Sequence, residues 1–365
     1  MTRRIAVILP RREPFDRDRF GAVALTAEAY VRHSAFRDVT EILGLAVAVP
    51  RDAEMFRAVT PIDRWWRKKN RGYAAGCAAA LAATPPRHID VHNRVEIFTY
   101  LARRFPEAAV SPWFHNDPRE MGGAETATER QRILDRARFV FCVSDWVRRR
   151  FLDGVARDGE RVLVIPEGFD TETAAVAEKE REIILVGRIT PEKGTLPFAE
   201  ALAAILPELP GWRAAIIGTP SPYHPDYHRK VAAAIAPLGD RVAMPGFLPH
   251  DQITARFGRA AIAAVPSHWD EAFGRTALEA MAAGCALIAS RRGALPEILG
   301  DAGRSIEPPD AATMAAAIRE LALDDGLRAE LQGRARRRAV AEFDARRWSA
   351  RLDAWRREID PDLGR

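Results

Sequence analysis

Short apolar runs alternate along the chain with longer segments of helical periodicity. The runs are rich in Val, Ile, Leu and Ala and end at polar loops, which is typical of strands buried on both faces of a parallel sheet. A first set comprises Ile5–Leu9, Leu45–Val49, Ile89–Val91, Ala109–Pro112, Val140–Val143 and Val162–Ile165. A second set comprises Ile183–Val186, Ala214–Ile217, Val242–Met244, Ala261–Val265 and Leu287–Ala289. The pattern predicts an α/β protein with two doubly wound parallel sheets, and the cleft between them is the expected ligand site.

A polar segment, Pro166–Glu182, separates the two sets of strands and is the expected linker. The tail from Ala311 to Ile359 has no helix breaker and is predicted to be helical throughout, with Trp348 and Trp355 on one face. The predicted units are residues 1–168, residues 169–345 and a C-terminal helix, 346–365.

The chain around Pro266–Glu297 predicts a strand, a loop, a helix and a second strand. The apolar run Ala261–Val265 stops at Pro266, and a polar loop leads to Gly274. Helix-forming residues fill Arg275–Ala283, and Gly284 supplies a left-handed stop before the next strand, Cys285–Ala289. The first N–H groups of a helix have no partner within the helix and therefore favour an anion. The backbone N–H groups expected to face such an anion are those of Phe273, Gly274, Arg275 and Thr276.

Two carboxylates border this predicted helix. Glu271 lies in the loop and Glu279 lies eight residues later, which places them about 80° apart around the axis and about 12 Å apart along it. A phosphate between them would explain the glycine, and a ribose and a sugar at either end would explain the two acids, because carboxylates accept hydrogen bonds from paired hydroxyls. The alternative is that Glu279 is solvated and Glu271 is an acid favoured by the helix dipole.

Two cations follow the strand Ile183–Val186 in the sequence G-R-I-T-P-E-K-G. Arg188 suits bidentate capture of a phosphate, and Lys193 adds a point charge. The alternative is a surface turn with two solvated cations. The order of residues differs from G-x-x-x-x-G-K-[ST], which excludes a nucleotide-hydrolysing phosphate loop.

Two His-Asn pairs follow predicted strands in the first half of the chain. They are His92 with Asn93, and His115 with Asn116 and Asp117. A lone histidine at the end of a strand is more often a structural hydrogen-bonding residue, the functional and structural roles are left open for His92, and Asp117 is placed to orient His115. A further loop, from Pro10 to Gly21, opens a predicted helix.

Composition narrows the protein class. The chain has 365 residues, of which 47% are hydrophobic and 29% charged, which suits two globular domains. Its start reads as a strand rather than a signal peptide, and no apolar run is long enough to span a bilayer. The three cysteines are expected to be buried thiols in a reducing cytoplasm. Two D-x-D matches, Asp16–Asp18 and Asp360–Asp362, read as solvated loop charges, so no metal is predicted.

Positive charge is concentrated in the first half of the chain. Residues 1–170 contain 29 Lys and Arg against 23 Asp and Glu, a net charge of +6, and the remainder carries −1. Within the first half, two tryptophans stand beside several cations, as at a membrane interface. A structural or acceptor-binding loop is an equal alternative, and nucleic acid, the least favoured, is not predicted as a partner. The residues of this Trp-rich segment are Trp65, Trp66, Arg67, Lys68 and Lys69.

The stretch E-A-F-G-R-T-A-L-E-A-M-A-A-G, from Glu271 to Gly284, resembles the Glu-x7-Glu signature of the family-4 retaining glycosyltransferases of the GT-B fold. G-R-I-T-P-E-K-G is similar to the loop with which that family binds the nucleotide diphosphate, and S-R-R-G-A-L-P-E-I-L, with Gly293, to its glycine turn beneath the donor. H-N-D-P resembles a segment of enzymes that build lipopolysaccharide cores and other bacterial surface polysaccharides. The resemblance is dense over residues 180–300. The hinge differs from the family's P-N-G-V-D at Glu167 and Phe169, which are expected to affect the linker and not the chemistry.

The resemblance implies transfer of a hexose, of the mannose or glucose class, from a UDP- or GDP-sugar to a lipid-linked, lipopolysaccharide or polysaccharide acceptor. It implies that the configuration of the sugar is retained and that no metal or other cofactor is needed. It also implies that the last helix crosses back to the first domain. The implied location is the cytoplasm, and contact with the inner face of the membrane is left open. The implied catalytic residues are His115, Arg188, Lys193 and Glu271. The implied donor contacts add Gly21, Phe247, Leu248, Phe273, Gly274, Arg275, Thr276 and Glu279, with the nucleobase at Phe247 and Leu248. The implied acceptor side comprises His92, Asn93, Asn116 and Asp117.

Two other readings stay open. One is a non-catalytic subunit that binds a nucleotide sugar, although the intact acids and cations disfavour a decayed site. The other is a sugar-nucleotide epimerase on the same fold. A phosphorylase is disfavoured, because it needs a pyridoxal lysine site and a much longer chain.

Overall fold

The computed structural model describes residues 4–63, 69–171 and 174–363. The chain divides into two compact units. The first comprises Met1–Gly168 together with Ala345–Arg365, and the second comprises Phe169–Asp344.

The first unit is built on a parallel sheet in the order β3-β2-β1-β4-β5-β6-β7. Its central strands are fully buried, as expected for apolar runs covered by helices on both faces. The strands are β1 Ile5–Ile8, β2 Thr40–Leu45, β3 Phe56–Val59, β4 His88–His92, β5 Ala109–Phe114, β6 Val140–Cys142 and β7 Val162–Val164. The helices between them are α1 Ala22–His33, α2 Lys69–Leu81, α3 Val95–Arg104, α4 Ala127–Leu134 and α5 Asp145–Leu152.

The second unit has a parallel sheet in the order β10-β9-β8-β11-β12-β13. Its strands are β8 Glu180–Val186, β9 Arg213–Ile217, β10 Val242–Gly246, β11 Ala260–Val265, β12 Ala286–Ser290 and β13 Arg304–Ile306. Its helices are α6 Thr195–Ile205, α7 Pro225–Ile235, α8 His250–Arg259, α9 Arg275–Ala282, α10 Leu295–Leu299, α11 Ala311–Leu323 and α12 Asp325–Phe343. The two sheets confirm the predicted doubly wound α/β architecture.

The last helix, α13 (Ala345–Ile359), belongs to the first unit. Trp348 and Trp355 pack against an apolar cluster that includes Tyr30 and Trp113. The Oγ of Ser349 donates a hydrogen bond of 2.8 Å to the carbonyl of Tyr30, and buried Arg356 pairs with Asp90 on β4. Apolar packing and a buried ion pair therefore hold this helix on the first unit.

Three expectations about elements need correction. The strand predicted at Leu45–Val49 is instead Thr40–Leu45, and Val49 is 43% exposed. A continuous apolar stretch does not show which part pairs with β1. The edge strands Phe56–Val59 and Arg304–Ile306 were not predicted, because their exposed residues break the apolar pattern. The C-terminal tail is not helical throughout, since it breaks at Asp324 and Asp344, and the Asp324 side chain caps α12.

Within the described residues, none of the helices combines the length and the apolar character that crossing a membrane requires. Of the Trp-rich segment, Lys69 is the first residue of α2, and Trp65, Trp66, Arg67 and Lys68 lie outside the described residues.

Candidate active site

The second unit's candidate site lies where its chain order reverses, between the neighbouring strands β8 and β11. Ligands of open α/β sheets bind at the carboxyl ends of the strands at such a switch point. Lys193 ends a short turn after β8, and Glu271 lies in the loop after β11. The Nζ of Lys193 is 2.6 Å from Oε1 of Glu271. The sequence assigned these residues to different parts of a donor, and the structure pairs them directly.

The loop that carries Glu271 is fixed on two sides. The buried Ser267 donates its hydroxyl to Oε1 of Glu271 at 2.5 Å. The turn after β12 packs against the backbone of Glu271, where Gly293 has φ +59° and a Cβ would come within 2.1 Å of the Glu271 carbonyl oxygen. The amide of Ala294 donates to that same carbonyl at 2.7 Å. Only glycine fits this contact, so the Gly293 turn sets the position of Glu271.

Helix α9 begins beside this pair. Gly274, with φ +108°, precedes its first residue and has no capping side chain. The side chain of Phe273 is buried against Phe343, so it is the backbone of Phe273 that remains for a ligand. Thr276 is half-buried in the first turn. The predicted group of amides therefore lies at a helix N-terminus three residues beyond Glu271.

Glu279 accepts hydrogen bonds from two basic side chains. Nε of Arg275 is 2.9 Å and Nε2 of His250 is 3.2 Å from its Oε1. Burial raises the pKa of Glu279, but the hydrogen bond from His250 and the charge of Arg275 outweigh it and hold the pKa below its usual value. Glu279 is therefore an ionised, oriented carboxylate rather than a solvated helix residue. The role of His250 was missed, and no sequence pattern would have revealed it.

Three further donor-side predictions fall on loops after strands of the second unit. Arg188 is exposed two residues beyond the end of β8. Phe247 follows β10 and is 63% exposed, while Leu248 is half-buried. Phe247 therefore lies outside the apolar core of the second unit. Its ring is available for stacking.

Three buried polar side chains of the first unit are hydrogen-bonded in a row. Nδ1 of His92 is 2.8 Å from Nε2 of His115, and Nδ1 of His115 is 3.0 Å from Oε1 of Glu167. The ring of Trp113 stacks on His92 with centroids 5.0 Å apart. Asn93, with φ +58°, accepts the backbone N–H of His115 at 3.2 Å. The His-Asn pairs predicted at neighbouring strand ends thus contact each other.

One expectation about these side chains needs correction. Glu167 was expected to affect only the linker, yet its carboxylate is hydrogen-bonded to a ring nitrogen of His115. Asp117 was expected to orient His115 or contact an acceptor hydroxyl; in the structure it accepts a hydrogen bond from the N–H of Arg119 at 2.9 Å and pairs with Arg150 at 2.5 Å. Contact of Asp117 with an acceptor stays a prediction. Asn116 is exposed.

The backbone of Gly21 makes a close contact, and its partner is the side-chain carboxylate of Glu13. Its φ is −114°, and a Cβ there would come within 2.3 Å of Oε1 of Glu13. That oxygen accepts the N–H of Ala24 at 3.1 Å. Glu13 therefore occupies the N-terminus of α1, where the resemblance implied donor phosphate.

In each of the two D-x-D matches, the first aspartate is not the solvated loop charge that was expected. Asp16 and Asp360 are buried, and Asp360 pairs with Arg87 at 2.8 Å. Among residues 4–63, 69–171 and 174–363, no group of three or more His, Cys, Asp or Glu side chains could hold a metal ion. The cysteines Cys77, Cys142 and Cys285 are free and buried. Burial raises the pKa of the Cys285 thiol to about 12, so it is not a reactive nucleophile at neutral pH.

Comparison with known families identifies the second unit. Residues 169–338 match the family described as "Glycosyl transferases group 1", a segment that includes the Lys193–Glu271 pair and Glu279. The chain carries a group 1 glycosyltransferase domain.

Curated relatives of this domain act in several pathways. The chain is 34% identical over 212 residues to a glycogen synthase of Mycobacterium tuberculosis, covering 55% of this chain and 49% of that one. It is 33% identical over 258 residues to a D-inositol 3-phosphate glycosyltransferase of Geodermatophilus obscurus, covering 65% and 54%. It is 30% identical to the lipopolysaccharide core biosynthesis mannosyltransferase LpcC of Rhizobium leguminosarum, covering 52% and 54%. The chain thus spans about half the length of the curated relatives it matches.

Solved structures share the fold across the whole chain. A sucrose-phosphate synthase of Thermosynechococcus elongatus has a TM-score of 0.77 at 18% identity, covering 98% of this chain and 99% of that one. HepE of Anabaena, solved with UDP and glucose, has a TM-score of 0.76 at 18% identity, covering 96% and 98%. At this identity the likeness establishes the fold, which is GT-B with two Rossmann-like domains.

Proposed function

We propose that the protein is a configuration-retaining glycosyltransferase. It transfers a hexosyl group of the mannose or glucose class from a UDP- or GDP-sugar to a hydroxyl of a lipid-linked, lipopolysaccharide or polysaccharide acceptor, without a metal ion. The observation that carries this proposal is the Lys193–Glu271 pair at the switch point of a group 1 glycosyltransferase domain. The acceptor class is supported by the likeness to LpcC, and the donor class by the likeness to HepE, which was solved with UDP and glucose.

In this proposal the leaving diphosphate is stabilised by positive charge. Lys193 is held in place by Glu271 before any ligand binds, and Arg188 is exposed earlier in the same loop after β8. The N–H groups at the start of α9 add fixed partial positive charge. Charge develops on the diphosphate as the glycosidic bond breaks, so pre-positioned donors lower the barrier with little reorganisation.

The two signature carboxylates hold the ends of the donor. Glu279 is ionised and oriented by Arg275 and His250, and it accepts the ribose hydroxyls. Glu271 accepts hydroxyls of the transferred sugar while it keeps Lys193 aligned. Phe247 stacks on the nucleobase, and this role is supported by its ring, which is exposed beyond the carboxyl end of the edge strand β10 of the same sheet.

Retention follows from attack on the face that the diphosphate leaves. The acceptor oxygen forms a bond to the anomeric carbon as the bond from that carbon to the phosphate oxygen breaks. The acceptor proton passes to the departing phosphate oxygen. A double displacement would need a nucleophilic carboxylate on the opposite face of the sugar, and Glu271, engaged by Lys193 and Ser267, is assigned here to binding rather than attack.

A panel of UDP- and GDP-hexoses tests the proposal, with product formation followed by mass spectrometry and the anomeric configuration read by NMR. Transfer with retained configuration, unaffected by a chelator and slowed by orders of magnitude in Lys193→Ala and Glu271→Ala, is expected. Binding of a nucleotide sugar without turnover would identify a non-catalytic subunit instead. An inverted product would contradict same-face attack.

Membrane contact through the Trp-rich segment, residues 65–69, is a separate part of the proposal. The indoles and cations suit a headgroup region that carries anionic lipid. Cosedimentation with anionic vesicles is expected to fall when Trp65 and Trp66 are both changed to Ala. Unchanged binding would exclude this contact.

A further inference from the structure

A turn with two arginines follows the first strand of the first unit. The amide of Glu13 donates to the carbonyl of Pro10 at 2.8 Å, which places Arg11 and Arg12 at the corner of the turn. Strand β1 neighbours β4, and the chain order of the sheet reverses between these two strands. The carboxyl ends of strands at such a switch point are where α/β sheets bind ligands. Both arginines therefore lie at the ligand-binding edge of the first sheet.

The guanidinium of Arg11 is partly buried without a partner. Arg11 is half-buried, and its Nε is shielded from solvent with no hydrogen-bond acceptor. In the part of the chain that the structure describes, this side chain makes no ion pair or ring contact either. Arg292 is the other described arginine with such an Nε, but its Nη2 is 3.5 Å from Glu307. A shielded donor without an acceptor is costly, which makes Arg11 a candidate ligand-binding residue.

The carboxylates that follow Arg11 in the sequence are engaged elsewhere. Oε1 of Glu13 accepts the N–H of Ala24 at 3.1 Å, where the positive end of α1 offsets its charge. Oδ1 of Asp16 accepts the N–H of Asp18 at 3.1 Å. Both acids therefore hold the backbone of the loop, and neither neutralises the arginine.

The loop that carries Arg11 is packed on the first unit. Phe15 is fully buried, and its ring stacks on Phe56 with the centroids 5.2 Å apart. The carbonyl of Phe15 also accepts the amide of Arg51 at 3.1 Å. A cation on a loop fixed in this way loses little conformational freedom when it binds an anion, so less affinity is lost to ordering.

We propose that the guanidinium of Arg11 binds an oxyanion of the acceptor, a phosphate or a carboxylate. Its N–H groups form a planar fork that matches either group, and the shielded Nε supplies one of the two hydrogen bonds. The donor diphosphate is assigned to the second unit, and the carboxylate of Glu13 disfavours a phosphate at the start of α1. The acceptor as the source of the oxyanion rests on the proposed function, whereas the anion site itself does not.

NMR of the arginine ¹⁵Nε–H groups in the full-length protein tests the anion site without any acceptor. Inorganic phosphate is added at constant ionic strength, with and without saturating UDP. It is expected to shift the signal of Arg11, identified by its loss in both Arg11→Gln and Arg11→Lys. Saturation is expected at a phosphate concentration about 10-fold lower than for Arg17, an exposed arginine of the same loop. Equal responses of the two signals, or no response of Arg11, would overturn the proposal.

Binding of nucleotide shows whether Arg11 belongs to the donor instead. Arg11→Gln is expected to bind UDP and GDP in calorimetry as the wild type and the control Arg17→Gln do. Weaker nucleotide binding in Arg11→Gln alone would assign Arg11 to the donor and overturn the acceptor assignment. An Arg11 signal that shifts with UDP and then no longer responds to phosphate would do the same.

Inhibition by phosphate tests the link to the acceptor. In the transfer assay, inorganic phosphate is expected to raise the KM for the acceptor without changing kcat, and to leave hydrolysis of the donor in the absence of acceptor unchanged. In Arg11→Gln this inhibition is expected to be about 10- to 100-fold weaker, the effect of losing one charge-assisted contact. Equal inhibition of the two proteins would overturn the proposal. A protein that turns over none of the donors would refute the proposed function and leave the NMR result standing.

Discussion

The ammonium of Lys193 and the carboxylate of Glu271 lie 2.6 Å apart and join the loops that follow β8 and β11. Both side chains keep some contact with solvent, so the pair contributes little to stability. Its effect is on position, because it fixes a cation and an acid at the reversal point of the sheet before a ligand arrives.

Glu271→Gln separates binding from turnover. The substitution removes a negative charge beside Lys193, so affinity for UDP, measured by calorimetry, is expected to stay equal or rise. Turnover is expected to fall by about 10²–10³-fold, the scale of losing one oriented electrostatic contact in a transition state. Glu200→Gln, on the exposed face of α6, is the matched control. Normal turnover in Glu271→Gln, or loss of UDP binding, would refute the role given to Glu271.

Glu279→Gln tests the ribose contact. The variant is expected to bind UDP about 10- to 100-fold more weakly, because one charge-assisted hydrogen-bond acceptor is lost. Inorganic pyrophosphate lacks a ribose, so its affinity is expected to be unchanged. Calorimetry with both ligands makes the comparison within one variant. Equal losses for the two would instead indicate a general disturbance of α9.

Phe247→Ala tests the nucleobase platform. Because the ring is 63% exposed, its removal is expected to leave the melting temperature almost unchanged. Affinity for UDP or GDP is expected to fall by about 1–3 kcal/mol, the range for base–aromatic stacking. Tyr223→Ala is the control, since Tyr223 is also a strongly exposed aromatic residue of this unit. An equal effect in both variants would count against a specific platform.

Because of His88, the stability of the first unit is expected to fall at acid pH. Burial lowers its pKa to about 3, and the charges of Arg356, Arg87 and Arg138 act in the same direction. The unfolded chain binds a proton below about pH 6.5 and the folded chain does not, so the free energy of unfolding falls as pH decreases from 6.5 towards 3. The slope from this residue is at most about 1.4 kcal/mol per pH unit.

Urea unfolding at several pH values between about 7 and 5 measures that slope. His88→Gln is expected to have a shallower pH dependence than the wild type, even if its stability at neutral pH is lower. Identical slopes for the two proteins would show that His88 is not the group responsible.

What the sequence predicted and what it missed have a common physical reason. The central strands and the signature of α9 are local patterns, and local periodicity reports them directly. Phe56–Val59 and Arg304–Ile306 were missed because an edge strand needs no apolar alternation. Leu45–Val49 was misplaced because apolarity does not determine register.

The partners of the candidate site residues could not be predicted in the same way. Glu167 lies 52 residues from His115, and His250 lies 29 residues from Glu279. No periodicity connects residues at these separations. Glu167 and His115 follow strands β7 and β5, which are separated by β6 in the sheet, and His250 and Glu279 lie on helices α8 and α9, so the contacts form only in the folded unit. Glu167 was even assigned to the linker, because its place after a strand gave no sign of a buried histidine beside it.

The central claim is that Arg188, Lys193 and the N-terminus of α9 bind one diphosphate, and calorimetric titration with UDP and GDP tests it most directly. The wild type is expected to bind at least one of them, and Arg188→Ala and Lys193→Ala are each expected to weaken that binding about 10- to 100-fold. Lys230→Ala, at an exposed position of α7, is expected to bind as the wild type does. Wild-type affinity in both the Arg188 and the Lys193 variants would contradict the account.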